Sequence, residues 1–567
     1  KLYLFVFFIL LKINVFSQDF NWAYTINNIN ATDILVQHSE NSNSNFSIIG
    51  YSMGKIDMKN QDKNSNGYFI GSYNADASLR WSYSLDIEAP LAVLHFNNDE
   101  VLLAALFTGN KDLDPSSGTN NQTSDGYSDL FLIRFNADGS TKWIETFKVE
   151  SSAFAIDLQL KEISQNRLMM CFGINADANL NGDNNSTHDL KRGIAILQLN
   201  NDGKIIKSGS IKFPQANNFL SAFDFNEDKD GNLIICGSFN GEVNFHLKQG
   251  SEIQAAGRGV DGFVVKYDSD FNYLWHKTIT DFNSIVPSTD LARSVITDAD
   301  GNILMYGQFT WTTDFDRKNN PGVHILQSDD NTQNPSAFLV KYDASGEIIK
   351  LSKIGGDKDK IVNLAAIKMI KSGDDLLLAM SSIHFGTGEL NLSTDPNNPQ
   401  IITNTNCRII ARYNSNFEYQ NHYLFEKIYI SSLSSQSTDQ ILFSGTYNHN
   451  ADIDPGVGNF ILKVDTTGPF WQNDLDLFVS RLGEGNSSLN QSKIEKSEMK
   501  LYPNPSNYRF YLDESFDEIK ILDIKGQILF KGKYEEIDFN TIPCGMFIVE
   551  GSRGNQITRN KWIKFNN

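Results

Sequence analysis

Two stretches of the sequence carry oxygen-bearing side chains at the alternating spacing of a calcium-binding loop. A loop of this kind ends in a bidentate carboxylate at position twelve, where Tyr73 and His188 stand in this chain. Turns rich in Asn, Asp and Gly produce the same spacing without a metal, so both interpretations stay open. The candidate ligands are Asp62, Asn64 and Asn66 in the first stretch and Asp177, Asn179 and Asn181 in the second.

Pairs of aspartates recur at one point of a longer repeated unit. A catalytic pair of carboxylates is needed once, whereas a repeated pair is typical of a turn, so we predict a structural role. The nine histidines are dispersed, and none stands near a serine or cysteine in a nucleophile motif. We therefore predict no catalytic residue, no metal site and no cofactor. The pairs are Asp112 and Asp114, Asp314 and Asp316, and Asp452 and Asp454.

The composition of the chain excludes several classes of partner. Its 567 residues have a formal net charge of −19, and no basic stripe is present to neutralise phosphates. This charge argues against a nucleic-acid partner or an anionic membrane surface. The four cysteines are scattered without a CxxC motif, which favours buried free thiols over zinc ligands or disulfides.

A repeated unit must position these residues, and its clearest copy runs from Gly231 to Trp275. Phe263, Val265 and Tyr267 alternate with Val264 and Lys266, which predicts a strand with one face more buried than the other. The separation from the strand phenylalanine to the following tryptophan is the same in three units, so we predict one hairpin rebuilt in one register. The pairs are Phe69 and Trp81, Phe131 and Trp143, and Phe263 and Trp275.

Seven such units are visible, and the seventh stops at Leu482 without its tryptophan strand. A strand of that type, Phe20 to Ile26, stands alone at the other end. In the seventh unit, Phe460 to Asp465 resembles the closing strand, but we assign that role to Asp476 to Leu482. Pairing of the two ends would leave no open sheet edge. We predict an all-β, seven-bladed β-propeller closed by the N-terminal strand, in preference to a β-solenoid or a string of sandwiches.

A basic residue precedes the last aromatic or apolar position of the third strand in five units. We expect these side chains on the outer surface of the blades; a basic funnel at the centre is the alternative. The residues are Arg134, Lys266, Lys341, Arg412 and Arg481.

The two ends of the chain differ from the repeats. Residues 1–17 are an apolar run after Lys1 with the features of a signal peptide. Residues 18–482 hold the repeats, and 483–499 have the composition of a linker. Residues 500–567 show short alternating strands between glycine turns, which predicts a small β-sandwich.

Both parts of the chain resemble known families. The Asp-Phe-Asp element of residues 314–316 and the strand before Trp275 resemble bacterial propeller repeats, which implies a fold and a secreted setting but no reaction. Tyr502-Pro-Asn-Pro, Asp523-Ile-Lys-Gly and Lys561-Trp-Ile-Lys resemble the type A C-terminal sorting domain of Bacteroidetes type IX secretion cargo. Cys544 stands where that pattern usually has a polar residue. The resemblance implies export, tail removal and attachment to surface lipopolysaccharide.

These observations predict a secreted or cell-surface repeat protein that acts as a non-catalytic binding module for a glycan or protein. The alternative is an extracellular polysaccharide-degrading enzyme with its active site at the mouth of the channel. Partners are then the type IX secretion machinery, through residues 500–567, and an unknown ligand. We expect a monomer.

Overall fold

The structure is a computed structural model of the chain. It describes residues 20–26, 34–57, 62–124, 128–148, 157–182, 186–213, 220–248, 250–281, 287–318, 320–329, 334–356, 362–384, 389–395, 397–403, 406–437, 440–447, 449–455, 460–462, 475–483, 501–502, 509–512, 516–523, 528–543, 545–553 and 556–564. The predicted signal peptide, most of the predicted linker and Cys544 lie outside these residues.

The chain divides into two compact units, Lys1–Glu484 and Gly485–Asn567. The described residues form β-strands and two short 3-10 helices, and no α-helix occurs among them. The all-β prediction is therefore confirmed for the described part of the chain.

The first three sheets of the first unit follow an isolated strand, β1 (Phe20–Ile26). Sheet I contains β2 (Ile34–Glu40), β3 (Phe46–Asp57), β4 (Asp62–Tyr73) and β5 (Leu79–Leu85). Sheet II contains β6 (Ala89–His95), β7 (Val101–Phe107), β8 (Asn110–Asp112), β9 (Asn121–Thr123), β10 (Asp129–Phe135) and β11 (Thr141–Phe147). Sheet III contains β12 (Gln159–Ile163), the 3-10 helix η1 (Ser164–Asn166), β13 (Arg167–Ile174), β14 (Ala178–Gly182), β15 (Ser186–Leu190), β16 (Gly193–Leu199) and β17 (Ile205–Lys212).

Four further sheets follow the same plan. Sheet IV contains β18 (Leu220–Glu227), β19 (Leu233–Phe239), β20 (Glu242–Asn244), β21 (Ile253–Ala255), β22 (Gly259–Tyr267) and β23 (Tyr273–Asp281), and β24 (Ser288–Thr289) pairs with β22 in parallel. Sheet V contains β25 (Leu291–Thr297), β26 (Ile303–Phe309), β27 (Thr312–Asp314), β28 (Ile325–Gln327), β29 (Ser336–Tyr342) and β30 (Ile348–Ile354). Sheet VI contains β31 (Val362–Ser372), β32 (Asp375–His384), β33 (Leu390–Asn391), β34 (Ile401–Ile402), β35 (Cys407–Tyr413) and β36 (Tyr419–Glu426). Sheet VII contains β37 (Ile428–Ser437), β38 (Gln440–Tyr447), β39 (Ala451–Asp452), β40 (Ile461–Leu462) and β41 (Asp476–Leu482).

Each sheet has four main antiparallel strands, in chain order in sheets I to VI, and sheets II to VII carry a short extra hairpin between the second and third strands. This hairpin attaches to the outer strand of the preceding sheet in two places: β20 pairs with β17, and β27 pairs with β23. The extra hairpins therefore fasten neighbouring sheets together.

The first strands of the seven sheets contact one another in cyclic order, and β37 of sheet VII returns to β2 of sheet I. The fourth strand of sheet VII is β1, which pairs with β41 and places Trp22 opposite Arg481. The same register places Trp143 opposite Arg134 and Trp275 opposite Lys266. The predictions that the two ends of the repeat region meet and that one hairpin register recurs are both confirmed.

The seventh sheet also confirms the choice of its closing strand. β41 pairs with β38 along its whole length, whereas Ile461 and Leu462 form the small strand β40 beside β39. The hairpin of β39 and β40 is the extra hairpin that sheets II to VI also carry between their second and third strands.

The main core lies between neighbouring sheets. One cluster joins Val264 of sheet IV to Met305 and Val340 of sheet V. Because each third strand is covered on both sides, Val264 and Lys266 are as buried as Phe263, and the prediction of one more exposed face is wrong. The described cysteines are buried and free, as predicted; they are Cys171, Cys236 and Cys407.

The second unit contains β42 (Leu501–Tyr502), β43 (Tyr511–Leu512), β44 (Glu518–Asp523), β45 (Ile528–Gly532), the 3-10 helix η2 (Tyr534–Glu536), β46 (Gly545–Arg553) and β47 (Gln556–Lys564). Four strands form one sheet in the order β45-β44-β46-β47, and β42 pairs with β43. Phe510, Ile521 and Phe547 belong to its separate apolar core. Lys564 closes this core, because its buried Nζ donates to the carbonyl oxygens of Phe539 and Ile542 at 2.6 and 2.7 Å.

A candidate ligand site in the axial cavity

Six of the seven first strands contain a β-bulge at the same point, opposite the repeated glycine position of the second strand. The bulge brings a carbonyl oxygen of the first strand against that position. A Cβ on Gly307 would lie 2.0 Å from the Leu291 oxygen, and one on Gly445 would lie 1.7 Å from the Tyr429 oxygen. In these two sheets the missing Cβ of the glycine leaves room for the bulged strand.

The bulges surround a cavity of about 340 Å³ where the seven first strands meet, which we call the axial cavity. Bulges redirect side chains that regular pleating would place elsewhere, and they occur often beside functional sites. Every sheet contributes to the wall, which consists of Gln37, Pro90, Leu91, Asp157, Leu158, Gln159, Phe223, Arg293, Ile367, Lys368, Ser431, Ser432 and Leu433.

Arg293, the bulge residue of sheet V, brings a half-buried guanidinium to this cavity. The group lies over the ring of Phe223 from sheet IV, 4.3 Å from the ring centroid. Its Nε is buried and has no hydrogen-bond partner within the described part of the chain. Burial lowers the pKa of Arg293, and the nearby Asp157 only partly opposes this shift. A half-buried guanidinium with an unsatisfied donor can bind an anion.

The carboxylate of Asp224, one residue beyond the bulge of sheet IV, is fully buried between two lysines. Lys161 Nζ of sheet III lies 2.6 Å from Asp224 Oδ1, and Lys368 Nζ of sheet VI lies 3.2 Å from Oδ2. Burial alone would raise the pKa of Asp224, but the two lysines outweigh it and hold the pKa below its ordinary value. Asp224 is therefore ionised at neutral pH and is already neutralised by the protein.

Asp157 provides the second carboxylate of the cavity. It lies beside the first strand of sheet III with φ at 144°, a conformation that strains a residue with a side chain. The hydroxyl of Ser221 donates to its Oδ2 at 2.5 Å. Its side chain is exposed, so the remaining acceptor positions face the cavity and solvent.

Side chains of one sheet satisfy the free backbone N–H groups on the first strand of the next. Gln37 accepts from the Val93 N–H at 2.9 Å, and Ser294 accepts from the Met369 N–H at 3.1 Å. Asp224 accepts from the Val295 N–H at 3.3 Å. These bonds cap the strand edges around the axis and hold the cavity wall in place.

Neither calcium-like stretch forms a loop. Asp62, Asn64 and Asn66 lie in β4, paired residue for residue with β3. Asn179 and Asn181 lie in β14, and Asp177 binds Lys191 Nζ at 2.8 Å and the Arg192 N–H at 3.0 Å. A strand spaces alternate residues along its length, so the backbone of these stretches differs from that of a calcium-binding loop. No group of metal-ligating side chains occurs among the described residues.

The aspartate pairs form turns, as predicted. Asp112 accepts hydrogen bonds from the N–H groups of Asp114 and Asn120, at 3.1 and 2.7 Å. Asp452 does the same with Asp454 and Phe460, at 3.1 and 3.0 Å. In each case the carboxylate organises the short extra hairpin.

The basic residues of the third strands lie neither on an outer surface nor in a central funnel, so both interpretations are wrong. Neighbouring sheets cover the strands, and each cation pairs with an acid because a buried charge requires a partner. Lys266 Nζ, for example, is 2.9 Å from Asp228 of the same sheet. The other pairs are Arg134–Glu100, Lys341–Asp298, Arg412–Asp375 and Arg481–Glu40.

Sequence reasoning missed Arg293, Asp224 and Lys368. A local signal existed, because the bulge residue precedes the repeated glycine by the same interval in several units: Phe223 before Gly237, Arg293 before Gly307 and Ser431 before Gly445. Only the pairing between strands shows that the residues at this interval lie at the same level along the axis.

Comparison with known proteins identifies the second unit. Residues 500–565 match the family described as the secretion system C-terminal sorting domain. This tail directs secretion by the type IX system, so the protein is exported to the extracellular space or the cell surface. No helix among the described residues is long and apolar enough to cross a membrane.

No curated protein matches the sequence of the chain. Solved structures that are similar to it include three with low sequence identity. The Dos1 propeller shares 8% identity with a TM-score of 0.37, covering 83% of this chain and 95% of its own. The polysaccharide lyase Uly1 shares 9% with a TM-score of 0.38, covering 82% and 99%. The GDP-Man-dependent mannosyltransferase MPT-1 from Leishmania mexicana shares 9% with a TM-score of 0.21, covering 51% and 85%. Likenesses at these scores carry no argument about activity.

Proposed function

We propose that the protein is an extracellular, non-catalytic binding module whose ligand occupies the axial cavity. Its scaffold is a seven-bladed β-propeller in which sheets I to VII are the blades and β1 closes the last blade. The cyclic contacts of the seven first strands and the pairing of β1 with β41 support this proposal.

The observation that carries the binding role is the guanidinium of Arg293, whose Nε has no hydrogen-bond partner among the described residues, in a cavity to which all seven sheets contribute. General acid–base catalysis requires a group whose pKa lies near the working pH. Asp224 instead has a lowered pKa and two lysine partners. Among the described residues of the wall, Asp157 is the single carboxylate, and neither histidine nor tyrosine occurs there. This composition favours binding over polysaccharide cleavage.

We also propose the boundaries of the exported protein. Residues 1–17 are removed as a signal peptide, 18–482 carry the binding function, 483–499 are a linker, and 500–567 engage the type IX secretion machinery before their removal. The remaining part is a monomer, attached to surface lipopolysaccharide or released, with a glycan or a protein as its ligand.

A glycan array combined with a turnover screen on the full chain tests the binding role. A tryptophan at Ser431, an exposed bulge residue in the cavity wall, should block the ligand without unfolding the protein. Ile349→Trp, on the exposed outer strand of sheet V, is the matched control, because Ile349 is 55% exposed. Loss of binding in Ser431→Trp alone supports the proposal. Formation of any cleaved product that Ser431→Trp abolishes favours the enzyme.

A further inference from the structure

Cations outnumber carboxylates at the axial cavity. Lys161 and Lys368 share the single carboxylate of Asp224, and Arg293 lies near Asp157, so three positive charges face two negative ones. The side chain of Arg293 is half-buried, and its Nε has neither access to solvent nor a hydrogen-bond partner among the described residues. Burying a guanidinium in this way is unfavourable unless an anion completes the site.

The shape of the guanidinium limits the anion that fits. Arginine donates two parallel hydrogen bonds to a planar carboxylate or to a phosphate. The guanidinium of Arg293 lies over the ring of Phe223. Asp157 belongs to the same wall, and a ligand with a high negative charge density would be repelled by it. A ligand with one carboxylate therefore suits the charges of Arg293 and Asp157 better than a phosphate dianion does.

The rest of the wall shows what should surround that carboxylate. Gln159, Ser431 and Ser432 supply neutral hydrogen-bonding groups, and Asp157 supplies an acceptor for a hydroxyl. The apolar part of the wall includes Leu91, Ile367 and Leu433, which suit the C–H face of a ring. The volume of about 340 Å³ is at the small end of ligand sites, so it holds a small molecule or a chain end and not a protein segment.

On these grounds we propose that the axial cavity binds an acidic sugar, with its carboxylate on Arg293 and its hydroxyls on Asp157 and the neutral side chains. This inference rests on the proposed binding function and deepens it by naming the class of ligand. It assigns to Arg293 the role of the specificity-determining residue for the acid group.

Calorimetric titration of the full chain tests the assignment with glucuronate and a short oligouronide. Glucose serves as the neutral counterpart, and inorganic phosphate and an aspartate-rich peptide serve as competing anions. The variants are Arg293→Gln, which removes the charge, and Arg293→Lys, which keeps the charge without the paired donors. Arg192→Gln is the matched control, because Arg192 also lies over a phenylalanine ring, that of Phe213, but outside the cavity.

We expect uronate binding by the wild type and by Arg192→Gln, at least about tenfold weaker binding by Arg293→Gln, and an intermediate affinity for Arg293→Lys. Thermal unfolding of each variant separates loss of the site from loss of the fold. Uronate binding that is unchanged in folded Arg293→Gln overturns the inference, as does failure of the wild type to bind either uronate. Tighter binding of phosphate or of the peptide overturns the sugar class.

Two outcomes separate this inference from the proposed function. A neutral glycan that binds independently of Arg293 overturns the inference but leaves the proposed function standing. Cleavage of the oligouronide overturns the proposed function instead.

Discussion

The indole Nε1 of Trp22 donates a hydrogen bond to the backbone carbonyl of Ala75 at 3.2 Å, across the junction of sheets VII and I. The same bond joins Trp143 to Asn201 at 3.1 Å and Trp275 to Ala344 at 3.2 Å, between successive sheets elsewhere. The N-terminal strand therefore makes at the junction the contact that the fourth strand makes within the repeat. Although it is distant in sequence, β1 is an ordinary member of the repeat.

Replacing Trp22 should weaken the junction between sheets VII and I and free the N-terminal strand, whereas the same change in another sheet should leave this junction intact. Trp22→Ala removes the indole bond and packing against Phe46, and we expect a loss of about 2 to 3 kcal/mol in the free energy of unfolding. Since β1 is held at one edge only, limited proteolysis should then cut the chain near Ile26. Trp143→Ala is the matched control, with a comparable loss of stability and no new N-terminal cut. Equal protease resistance of Trp22→Ala and the wild type would contradict this role of β1.

The buried ion pair of Arg481 and Glu40 also spans the junction, with Nη1 and Oε1 2.7 Å apart. Breaking it by Glu40→Gln should cost about 3 to 5 kcal/mol, because the guanidinium remains buried without its counter-ion. The double variant Glu40→Gln/Arg481→Met should lose less than the sum of the two single changes, as measured by urea unfolding in a double-mutant cycle.

The corresponding pair within sheet VI is the control for this cycle. Arg412 Nη1 lies 3.3 Å from Asp375, whose side chain is 28% exposed. Asp375→Asn should cost about 1 kcal/mol or less. A coupling at the junction that does not exceed the coupling in sheet VI would show that Arg481 and Glu40 have no special part in closing the ring.

Stability should depend on pH through Asp224. The lysines hold its pKa below the ordinary value, so its contribution is fully present above the unfolded pKa of about 4 and is lost as the pH falls through the lower folded pKa. Asp224→Asn should lower the free energy of unfolding by about 3 kcal/mol at pH 7, and this difference should shrink as the pH falls toward about 3.

Urea unfolding of both proteins across that pH range provides the measurement. Asp86→Asn is the control, because the side chain of Asp86 is 78% exposed in its pair with Lys111. A wild-type advantage over Asp224→Asn that stays constant between pH 7 and pH 3 would rule out titration of Asp224 as its source.

The bulge at Arg293 depends on Gly307. Gly307→Ala would place a Cβ 2.0 Å from the Leu291 carbonyl oxygen, and backbone atoms cannot move aside cheaply. We expect a loss of about 2 kcal/mol or more, together with weaker ligand binding because Arg293 is displaced. Gly262→Ala is the milder control, since its nearest neighbour is the flexible side chain of Ile279 at 3.2 Å. Full stability of Gly307→Ala in thermal unfolding would contradict the structural role of the glycine.

Export should depend on the folded tail. Deleting residues 500–567 should retain the protein inside cells that use type IX secretion. Lys564→Met removes two buried hydrogen bonds and should reduce the exported fraction, whereas Lys531→Met changes a side chain that is 55% exposed and should have no effect. Immunoblots of culture medium and cell fractions measure the result. Normal export of the deletion variant would show that the tail is not the sorting signal.

The repeat, the register of its hairpins and the strand that completes sheet VII could be predicted from the sequence. Each of these depends on local sequence patterns, because the interval between Phe263 and Trp275 is repeated in the corresponding hairpins of other units. The role of the aspartate pairs was equally accessible, since Asp112 accepts hydrogen bonds from Asp114 and Asn120 in its own turn. The calcium-like spacing gave no indication that both stretches lie mainly in strands, because oxygen spacing along the chain does not distinguish a loop from a strand.

Only the tertiary structure decided the burial of the third-strand cations and the composition of the axial cavity. The sequence suggests that Lys266 lies on the surface, and only the packing of the neighbouring sheet shows that it is buried. Arg293, Asp224 and Lys368 come from three different sheets. In each of these sheets a bulge of one residue, without a distinctive amino acid, interrupts the first strand at the axis. Local sequence patterns record how a strand pairs with its neighbours, but the meeting of seven strands around one axis depends on long-range packing that no single segment contains.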